Sequence, residues 1–279
     1  MAAAQEFVRG RVTEIWRYPV KSMMGEELDV AEVTEHGLLG DRAYALVDAE
    51  TGKVASAKNP RRWPNLFDFR ATFLELPRDP SSLPPVRITF PDGDSLSTDA
   101  GDVELRLSAA VGRPVRLARQ STAGAKAEGY WPDYEWLAQR DEVFDFPLPP
   151  GTFFDGAIIH LITTATLDRL QALTPTSRFE IPRFRPNFVI EPTDGSEGYL
   201  ENDWCGQTIS LGEVRLRIDG PCPRCIMTTL AQGSLPKDPG ILRTAVQENH
   251  GNIGVYATVV RDGRVCRGDE VEPQKTYEN

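Results

Sequence analysis

Short segments rich in β-branched residues recur along the whole chain, and clusters of Gly, Asp and Pro separate them. Apolar or alternating runs of this length, bounded by turn residues, are typical of β-strands. Such runs occupy 11–15, 43–47, 86–90, 103–107, 188–190, 208–211, 214–218 and 255–260. The chain has 23 Gly and 22 Pro, enough turn-forming residues to connect many short strands. The pattern predicts a mainly β fold with inserted helices, of the α+β class.

Two segments are predicted to be helical. In 166–173, leucines recur at helical spacing, and Thr164 or Thr166 can cap the helix N-terminus. A second helix is predicted at 238–247. The dipeptide Asp262-Gly263 is typical of a tight hairpin turn, so the strands on its two sides are expected to pair.

The strand pattern is lost between about residues 110 and 150, where Ala, Gly, Pro and acidic residues dominate. An aromatic cluster lies inside this segment, at Tyr130, Trp131, Tyr134 and Trp136. We interpret the region as a connector that packs locally.

Charge and cysteine content exclude several classes of protein. Lys and Arg number 31 against 41 Asp and Glu, a net charge of -10 that disfavours general binding to nucleic acid. The four cysteines, at 205, 222, 225 and 266, are too few for a disulfide scaffold at this length. Nothing at the N-terminus resembles a signal peptide, and no apolar run approaches the roughly 20 residues of a membrane span. A cytoplasmic protein without membrane contact is expected.

The densest chemical signal is the run Pro221-Cys222-Pro223-Arg224-Cys225. A guanidinium beside Cys225 would favour the thiolate form, which binds metals and acts as a nucleophile. The spacing alone leaves three alternatives open. The pair could form a redox disulfide, or it could be buried as small apolar side chains. It could also be half of a zinc site completed by other residues. Those further ligands would come from Cys205, Cys266, His36, His160 or His250.

A second group, Phe184-Arg185-Pro186-Asn187, places a bidentate cation and an amide on either side of a rigid proline. That pair suits an anionic, heterocyclic ligand, although an arginine tied to a local carboxylate would give the same pattern. A third group combines Tyr18-Pro19-Val20-Lys21-Ser22 with Gly40-Asp41-Arg42. Convergence of the basic residues would create an anion pocket in an acidic chain. These residues are Lys21, Arg42, Arg183, Arg185 and Arg224.

Taken in order, these motifs resemble one known family. YPVKS, GDR, a Thr pair before a short helix, FRPN, and CxRC followed by a second Thr pair resemble proteins that join an N-terminal β-barrel domain to a MOSC domain. The family includes the mitochondrial amidoxime-reducing component. The resemblance extends from about Val12 to Glu272. It implies an N-terminal MOSC β-barrel domain at 1–125, a connector at 126–150 and a MOSC β-barrel domain at 151–275.

The resemblance also implies a molybdenum cofactor, molybdopterin with molybdenum. Cys225 matches the cysteine that ligates the metal in this family, and Asp155 matches a carboxylate near the metal that could orient substrate or relay protons. A turn-capping role for Asp155 is the structural alternative. The positions matching cofactor-binding residues are Lys21, Ser22, Arg42, Thr163, Thr164, Arg185, Asn187 and Arg224.

The activity implied by the resemblance is reduction of small N-hydroxylated compounds by a molybdenum-dependent oxidoreductase. With Cys225 committed to molybdenum, a four-cysteine iron-sulfur cluster cannot be built from the remaining cysteines. The electrons are therefore expected from a separate ferredoxin-like, cytochrome b5-like or flavin reductase protein. A second hypothesis is a sulfur carrier or cofactor-handling protein that uses a persulfide on Cys225. A third is a zinc-stabilised binding module.

Overall fold

Strands dominate the computed structural model, which describes residues 9–273. The strands are β1 (Gly10–Arg17), β2 (Glu26–Leu28), β3 (Val30–Thr34), β4 (Gly37–Leu38), β5 (Ala45–Asp48), β6 (Arg70–Phe73), β7 (Val86–Thr89), β8 (Ser95–Ser97), β9 (Val115–Ala118), β10 (Lys126–Trp131), β11 (Glu142–Pro147), β12 (Ile159–Thr163), β13 (Phe188–Pro192), β14 (Thr208–Leu211), β15 (Val214–Pro223), β16 (Asn252–Arg261), β17 (Gly263–Cys266) and β18 (Glu270–Pro273). The α-helices in this range are α1 (Val103–Val111), α2 (Thr164–Leu173) and α3 (Gly240–Asn249). The mainly β fold with inserted helices confirms the predicted class.

Seven strands close into a barrel in the order β1, β13, β12, β16, β15, β14 and β18. Closure occurs at β1, which pairs with β13 on one edge and with β18 on the other. Ile15, Phe188 and Leu216 are fully buried inside it. Alternate residues of each strand face inward, which is why the apolar pattern of these segments has a period of two.

A second core forms beside the barrel from β5, β9, the sheet β6-β7-β8 and α1. Leu46, Phe69, Ile88 and Leu107 are buried in it. The segment after β1 runs between the barrel and this second core, where single bridges join Val20 to Tyr44 and Met24 to Arg70. Residues that follow β1 therefore lie at the boundary of the two cores.

The segment 103–107 is helical, so the strand predicted there is wrong. Val103, Leu107 and Val111 are buried at intervals of four residues, which is a helical period, and Leu105 between them is exposed. Gly112 ends α1 in the left-handed conformation. Residues 103–107 alone fit both the strand period of two and the helical period. The burial of Val111, one turn further on, decides for the helix.

Two further expectations are corrected. The predicted connector contains a β-hairpin, because β10 and β11 pair along their full length. The strand β17 pairs with β3 rather than with β16 across Asp262-Gly263. The strand β16 extends to Arg261, where it still pairs with β15, and β17 begins at Gly263, so Asp262 is a one-residue link and not part of a two-residue turn.

The helices predicted at 166–173 and 238–247 are confirmed as α2 and α3. Among residues 9–273, no helix has the length and apolar character that a membrane crossing demands.

Candidate functional site

An open cavity with an empty volume of about 840 Å³ lies where the segment after β1, the end of β15 and the loop before β13 meet. All three chemical motifs of the sequence contribute to its wall. The lining includes Lys21, Ser22, Arg42, Lys58, Phe154, Asp155, His160, Arg183, Arg185, Asn187, Cys222, Arg224, Cys225 and Tyr256.

The carboxylate of Asp155 bridges two lysines on one side of the cavity. Its Oδ1 accepts a hydrogen bond from Nζ of Lys21, and its Oδ2 lies 2.8 Å from Nζ of Lys58. Nζ of Lys21 also donates to the carbonyl of Phe153 at 2.8 Å, so this buried ammonium is held from two directions. The three side chains form a group with a net charge of +1.

Burial and charge act in opposite directions on this group. Burial alone would raise the pKa of Asp155, but Lys21 and Lys58 beside it hold that pKa well below its usual range. Burial lowers the pKa of Lys21 despite the attraction of Asp155. Burial would also lower the pKa of Lys58, but the negative charge of Asp155 raises it overall. Asp155 is therefore ionised throughout the neutral range, and Lys58 is the more firmly protonated lysine.

A buried carboxylate, Asp41, fixes the opposite side of the cavity. It accepts hydrogen bonds from the backbone amide of Tyr18 at 2.7 Å and from Nδ2 of Asn187 at 2.9 Å. It also forms an ion pair with Arg42, whose guanidinium lies 4.5 Å from the centre of the Tyr18 ring. Asp41 therefore orients Arg42 and connects the GDR and FRPN motifs.

Asn187 lines the cavity, but most of the hydrogen-bonding capacity of its side-chain amide is used within the protein. Nδ2 donates to Asp41 and to the carbonyl of Trp16 at 3.3 Å, while Oδ1 accepts the backbone amide of His160 at 3.1 Å. One lone pair of Oδ1 is left for a ligand, so Asn187 can accept from a ligand and has no donor to spare.

Arg185 is held in a left-handed backbone conformation, with φ of 54°. Its guanidinium lies 4.1 Å from the centre of the Tyr18 ring and donates to the carbonyl of Met23 at 2.7 Å. Burial, together with the positive charge of Arg42, lowers the pKa of Arg185 to about 10. No salt bridge to Arg185 is found within residues 9–273, so an anion in the cavity would relieve repulsion between the two arginines.

The cysteine motif forms the third part of the wall. Cys222 is buried, and its Sγ accepts a hydrogen bond from Nη1 of Arg224 at 2.7 Å. Nη2 of Arg224 donates to the carbonyl of Phe184 at 2.8 Å, while Nε is buried without a partner in the described chain. Cys225 is a half-buried free thiol on the cavity wall. It directly precedes a short 3₁₀ helix, Ile226–Thr229.

The described residues provide no further ligands for a zinc site at this motif. In the part of the chain that the structure describes, no three His, Cys, Asp or Glu side chains are grouped so that they could hold a metal ion.

His160 and Tyr256 form the floor of the cavity. Their rings meet edge to face with centres 5.9 Å apart, and the two residues are opposite each other in the pairing of β12 with β16. Burial, with the nearby charge of Arg224, lowers the pKa of His160 to about 3. Burial also raises the pKa of Tyr256. Both side chains are therefore neutral at pH 7.

The structure does not bring Thr163 and Thr164 into this cavity. The hydroxyl of Thr163 caps α2 by accepting the backbone amide of Thr166, and it donates to Oε2 of the buried Glu201 at 2.6 Å. Thr164 lines a different surface depression beside α2. Both threonines therefore lie outside the cavity that the other motif residues line.

Ser22 and Arg183 line the cavity with their side chains engaged by the fold. Oγ of Ser22 accepts the backbone amide of Ala57 at 3.1 Å. The guanidinium of Arg183 donates to four backbone carbonyls, among them that of Thr228, and so fixes the loop that carries Cys225. Arg183 therefore positions the loop and does not offer a free cation.

Sequence reasoning missed Lys58 and Tyr256 and weighed His160 only as a zinc ligand. Lys58 lies in Ala57-Lys58-Asn59, with no motif around it, and only the fold places it beside Asp155. Tyr256 and His160 lie on adjacent strands, so the register of β12 against β16 would have been needed to find them.

The residues present fit an anionic, soft-metal cofactor. Lys21, Lys58, Arg42, Arg185 and Arg224 outnumber Asp155 on the wall. Nε of Arg224 is buried without a partner in the described chain. A thiol is the ligand type that soft transition metals prefer. The guanidinium fork matches the geometry of carboxylate and phosphate anions.

Comparisons with known proteins identify the two domains of the chain. The family model described as "MOSC N-terminal beta barrel domain" matches residues 9–137, and the one described as "MOSC domain" matches residues 150–272. "Mitochondrial amidoxime reducing component 2" of Rattus norvegicus is 25% identical over 79% of this chain and 67% of that protein. "Molybdenum cofactor sulfurase" of Homo sapiens is 25% identical over 88% of this chain and 29% of that protein.

The chain spans about two thirds of the amidoxime reducing relative and under a third of the sulfurase. Among solved structures, the YUAD protein of Bacillus subtilis aligns over 94% of both chains with a TM-score of 0.47 and 13% identity. The two family models together match nearly all of residues 9–272. The chain therefore belongs to the family that combines a MOSC N-terminal β-barrel domain with a MOSC domain.

Proposed function

We propose that this chain binds the molybdenum cofactor in the cavity and reduces N-hydroxylated compounds with electrons from a separate protein. The observation that carries the proposal is the half-buried thiol of Cys225, which opens into a cavity rich in basic side chains although the chain has a net charge of -10. The names of the relatives, an amidoxime reducing component and a molybdenum cofactor sulfurase, support the same cofactor.

In this proposal Cys225 ligates molybdenum, and Arg42, Arg185 and Arg224 hold the phosphate of the cofactor. When bound, the cofactor supplies a metal centre that can pass two electrons to a substrate. Burial of the arginines strengthens their attraction for the phosphate, because the local dielectric is lower than in water. Lys21, Lys58 and Asp155 together add a net charge of +1.

The reaction consumes two electrons and two protons: R–NHOH becomes R–NH2 and H2O as the N–O bond breaks. Asp155 is ionised and can accept a hydrogen bond from the substrate hydroxyl. The ammonium of Lys58, 2.8 Å from Asp155, is placed to donate a proton to the departing oxygen and to be reprotonated from solvent. His160 and Tyr256 stay neutral, so they contribute polarity without adding charge.

The electron donor in this proposal is a ferredoxin-like, cytochrome b5-like or flavin reductase protein. Both the substrate and the donor are proposed, because the chain corresponds to about two thirds of the amidoxime reducing relative.

A second candidate function is a sulfur carrier or cofactor-handling protein that carries a persulfide on Cys225. The observation in its favour is the match to a molybdenum cofactor sulfurase along 88% of this chain.

Anaerobic oxidation of reduced methyl viologen separates the two functions. For protein from molybdate-supplemented cells, we expect two viologen radicals to be oxidised for each ammonia formed from hydroxylamine or each amidine formed from an amidoxime. Cys225→Ala should abolish this turnover, while Cys266→Ala, which changes a half-buried thiol on β17, should retain it. Absence of turnover, together with thiocyanate release from Cys225 on treatment with cyanide, would favour the sulfur carrier.

A further inference from the structure

A second cavity adjoins the first one at Cys225. This hairpin pocket has an empty volume of about 660 Å³. Lys58, Pro223, Arg224 and Cys225 line both cavities. Its remaining wall includes Tyr130, Trp131, Leu137, Phe144, Ile226, Leu242, Val246 and His250. A molecule seated in the hairpin pocket would therefore be next to the thiol that the proposed function assigns to the metal.

The hairpin of β10 and β11 gives the pocket a flat aromatic wall. The rings of Trp131 and Phe144 stack with centres 5.2 Å apart and planes 26° from parallel. Phe144 lies opposite Gly129 in the strand pairing, and a Cβ on Gly129 would collide with its ring. The glycine thus lets the ring lie flat over the neighbouring strand.

The facing wall is aliphatic. Leu242 and Val246 lie on α3, and Ile226 follows Cys225 directly. A pocket lined by both aromatic rings and aliphatic side chains suits a planar ring, which buries its two apolar faces there.

The charges in the hairpin pocket disfavour a cation. Lys58 and Arg224 are the charged residues on its described wall, and no Asp or Glu lines it there. The carboxylate that pairs with Lys58 belongs to Asp155, which faces the first cavity. A positively charged ligand would meet two like charges without a compensating carboxylate.

We propose that the hairpin pocket binds the planar, uncharged aromatic or heteroaromatic ring of an N-hydroxy substrate and directs its N–O group toward Cys225. The inference deepens the proposed function and rests on it. It also accounts for product release from an amidoxime. An amidoxime is uncharged at neutral pH, whereas the amidine formed from it is a cation, which Lys58 and Arg224 repel.

Equilibrium binding of unreactive probes tests the pocket separately from catalysis. The probes are benzamide, which is planar and uncharged, cyclohexanecarboxamide, which lacks the aromatic ring, and benzamidine, which is a cation. Isothermal titration calorimetry on the purified full chain would compare wild type with Trp131→Leu and Phe144→Leu. Val143→Ala is the matched control, because Val143 is exposed on the same hairpin and does not line the pocket.

We expect wild type and Val143→Ala to bind benzamide more tightly than either other probe. Loss of one aromatic face in Trp131→Leu or Phe144→Leu should weaken benzamide binding roughly threefold to tenfold. Thermal melting would verify that each variant is folded. Equal binding of all three probes, or unchanged benzamide binding in both pocket variants, would overturn the inference.

Measuring turnover shows whether a negative result argues against the hairpin pocket or against the proposed reaction. Viologen oxidation by hydroxylamine without any benzamide binding would overturn the hairpin pocket and leave the proposed function intact. Selective benzamide binding that both pocket variants weaken, in a protein that reduces neither hydroxylamine nor an amidoxime, would support ring recognition and count against the proposed reaction.

Discussion

Nζ of Lys58 lies 2.8 Å from Oδ2 of Asp155, while the other oxygen of the same carboxylate is bound by Lys21. The three residues come from three separate segments of the chain. Their contact joins the segment after β1, the segment after β5 and the segment before β12. The charge balance at the cavity therefore depends on the mutual position of the barrel and the second core.

Asp155→Asn should destabilise the protein, because it leaves two neighbouring ammonium groups without their anion. We expect the free energy of unfolding to fall by about 1–3 kcal/mol at pH 7, measured by chemical denaturation. A carboxylate with a depressed pKa stabilises the fold above its ordinary pKa near 4, and this contribution is lost as the pH falls. The difference between variant and wild type should therefore shrink in acid.

Asp145→Asn provides the control, since Asp145 also pairs with a lysine, Lys53, at 2.7 Å but at an exposed position. That variant should unfold nearly as wild type does. An equal loss of stability in both variants would contradict a special role for the pairing of Asp155 with two lysines.

Thr163→Ala should affect stability and not cofactor content. Loss of the α2 cap and of the hydrogen bond to Glu201 should lower the free energy of unfolding by about 1–2 kcal/mol. Thr164→Ala, at the adjacent position, should change neither quantity measurably. A large drop in cofactor content in either folded variant would show that the family's threonine does contact the cofactor here.

His160 should make the fold sensitive to acid. Its pKa is about 3 in the folded chain and about 6.5 when unfolded, so the unfolded chain binds one more proton between these values. Its neutral form stabilises the fold fully above pH 6.5, and stability falls as the pH drops toward 3. The slope attributable to His160 is about 1.4 kcal/mol per pH unit.

Denaturation curves between pH 4 and 6 would measure this slope. His160→Gln should reduce the slope by about one proton, because glutamine cannot charge. His36→Gln, at an exposed histidine, should leave it unchanged. A slope in His160→Gln equal to that of wild type would contradict the assignment.

The sequence allowed prediction of strands such as β1, β13 and β16 and of two helices, because their apolar periods are local properties. It could not decide the state of 103–107, since five residues fit both periods, and the burial of Val111 one turn later decides for a helix. It could not exclude pairing across Asp262-Gly263, because the actual partner of β17 is β3, which lies far away in the sequence.

The motif residues Lys21, Arg42, Arg185 and Cys225 do converge, as the family resemblance implied. Lys58 lacked any local signal, since a lone lysine between small and polar residues looks like ordinary surface. Thr163 caps α2 outside the cavity, and the sequence could not show this because a helix cap and a ligand position share the same residue type. The contacts of a side chain, and not its spacing in the sequence, distinguish a helix cap from a ligand position and a site lysine from a surface lysine.

The most direct test of the central claim is the molybdenum and pterin content of protein purified from molybdate-supplemented cells. We predict close to one molybdenum and one pterin per chain in wild type and in Cys266→Ala, with molybdenum lost in Cys225→Ala. Full molybdenum retention in a folded Cys225→Ala variant, or zinc without pterin in all three proteins, would contradict the account.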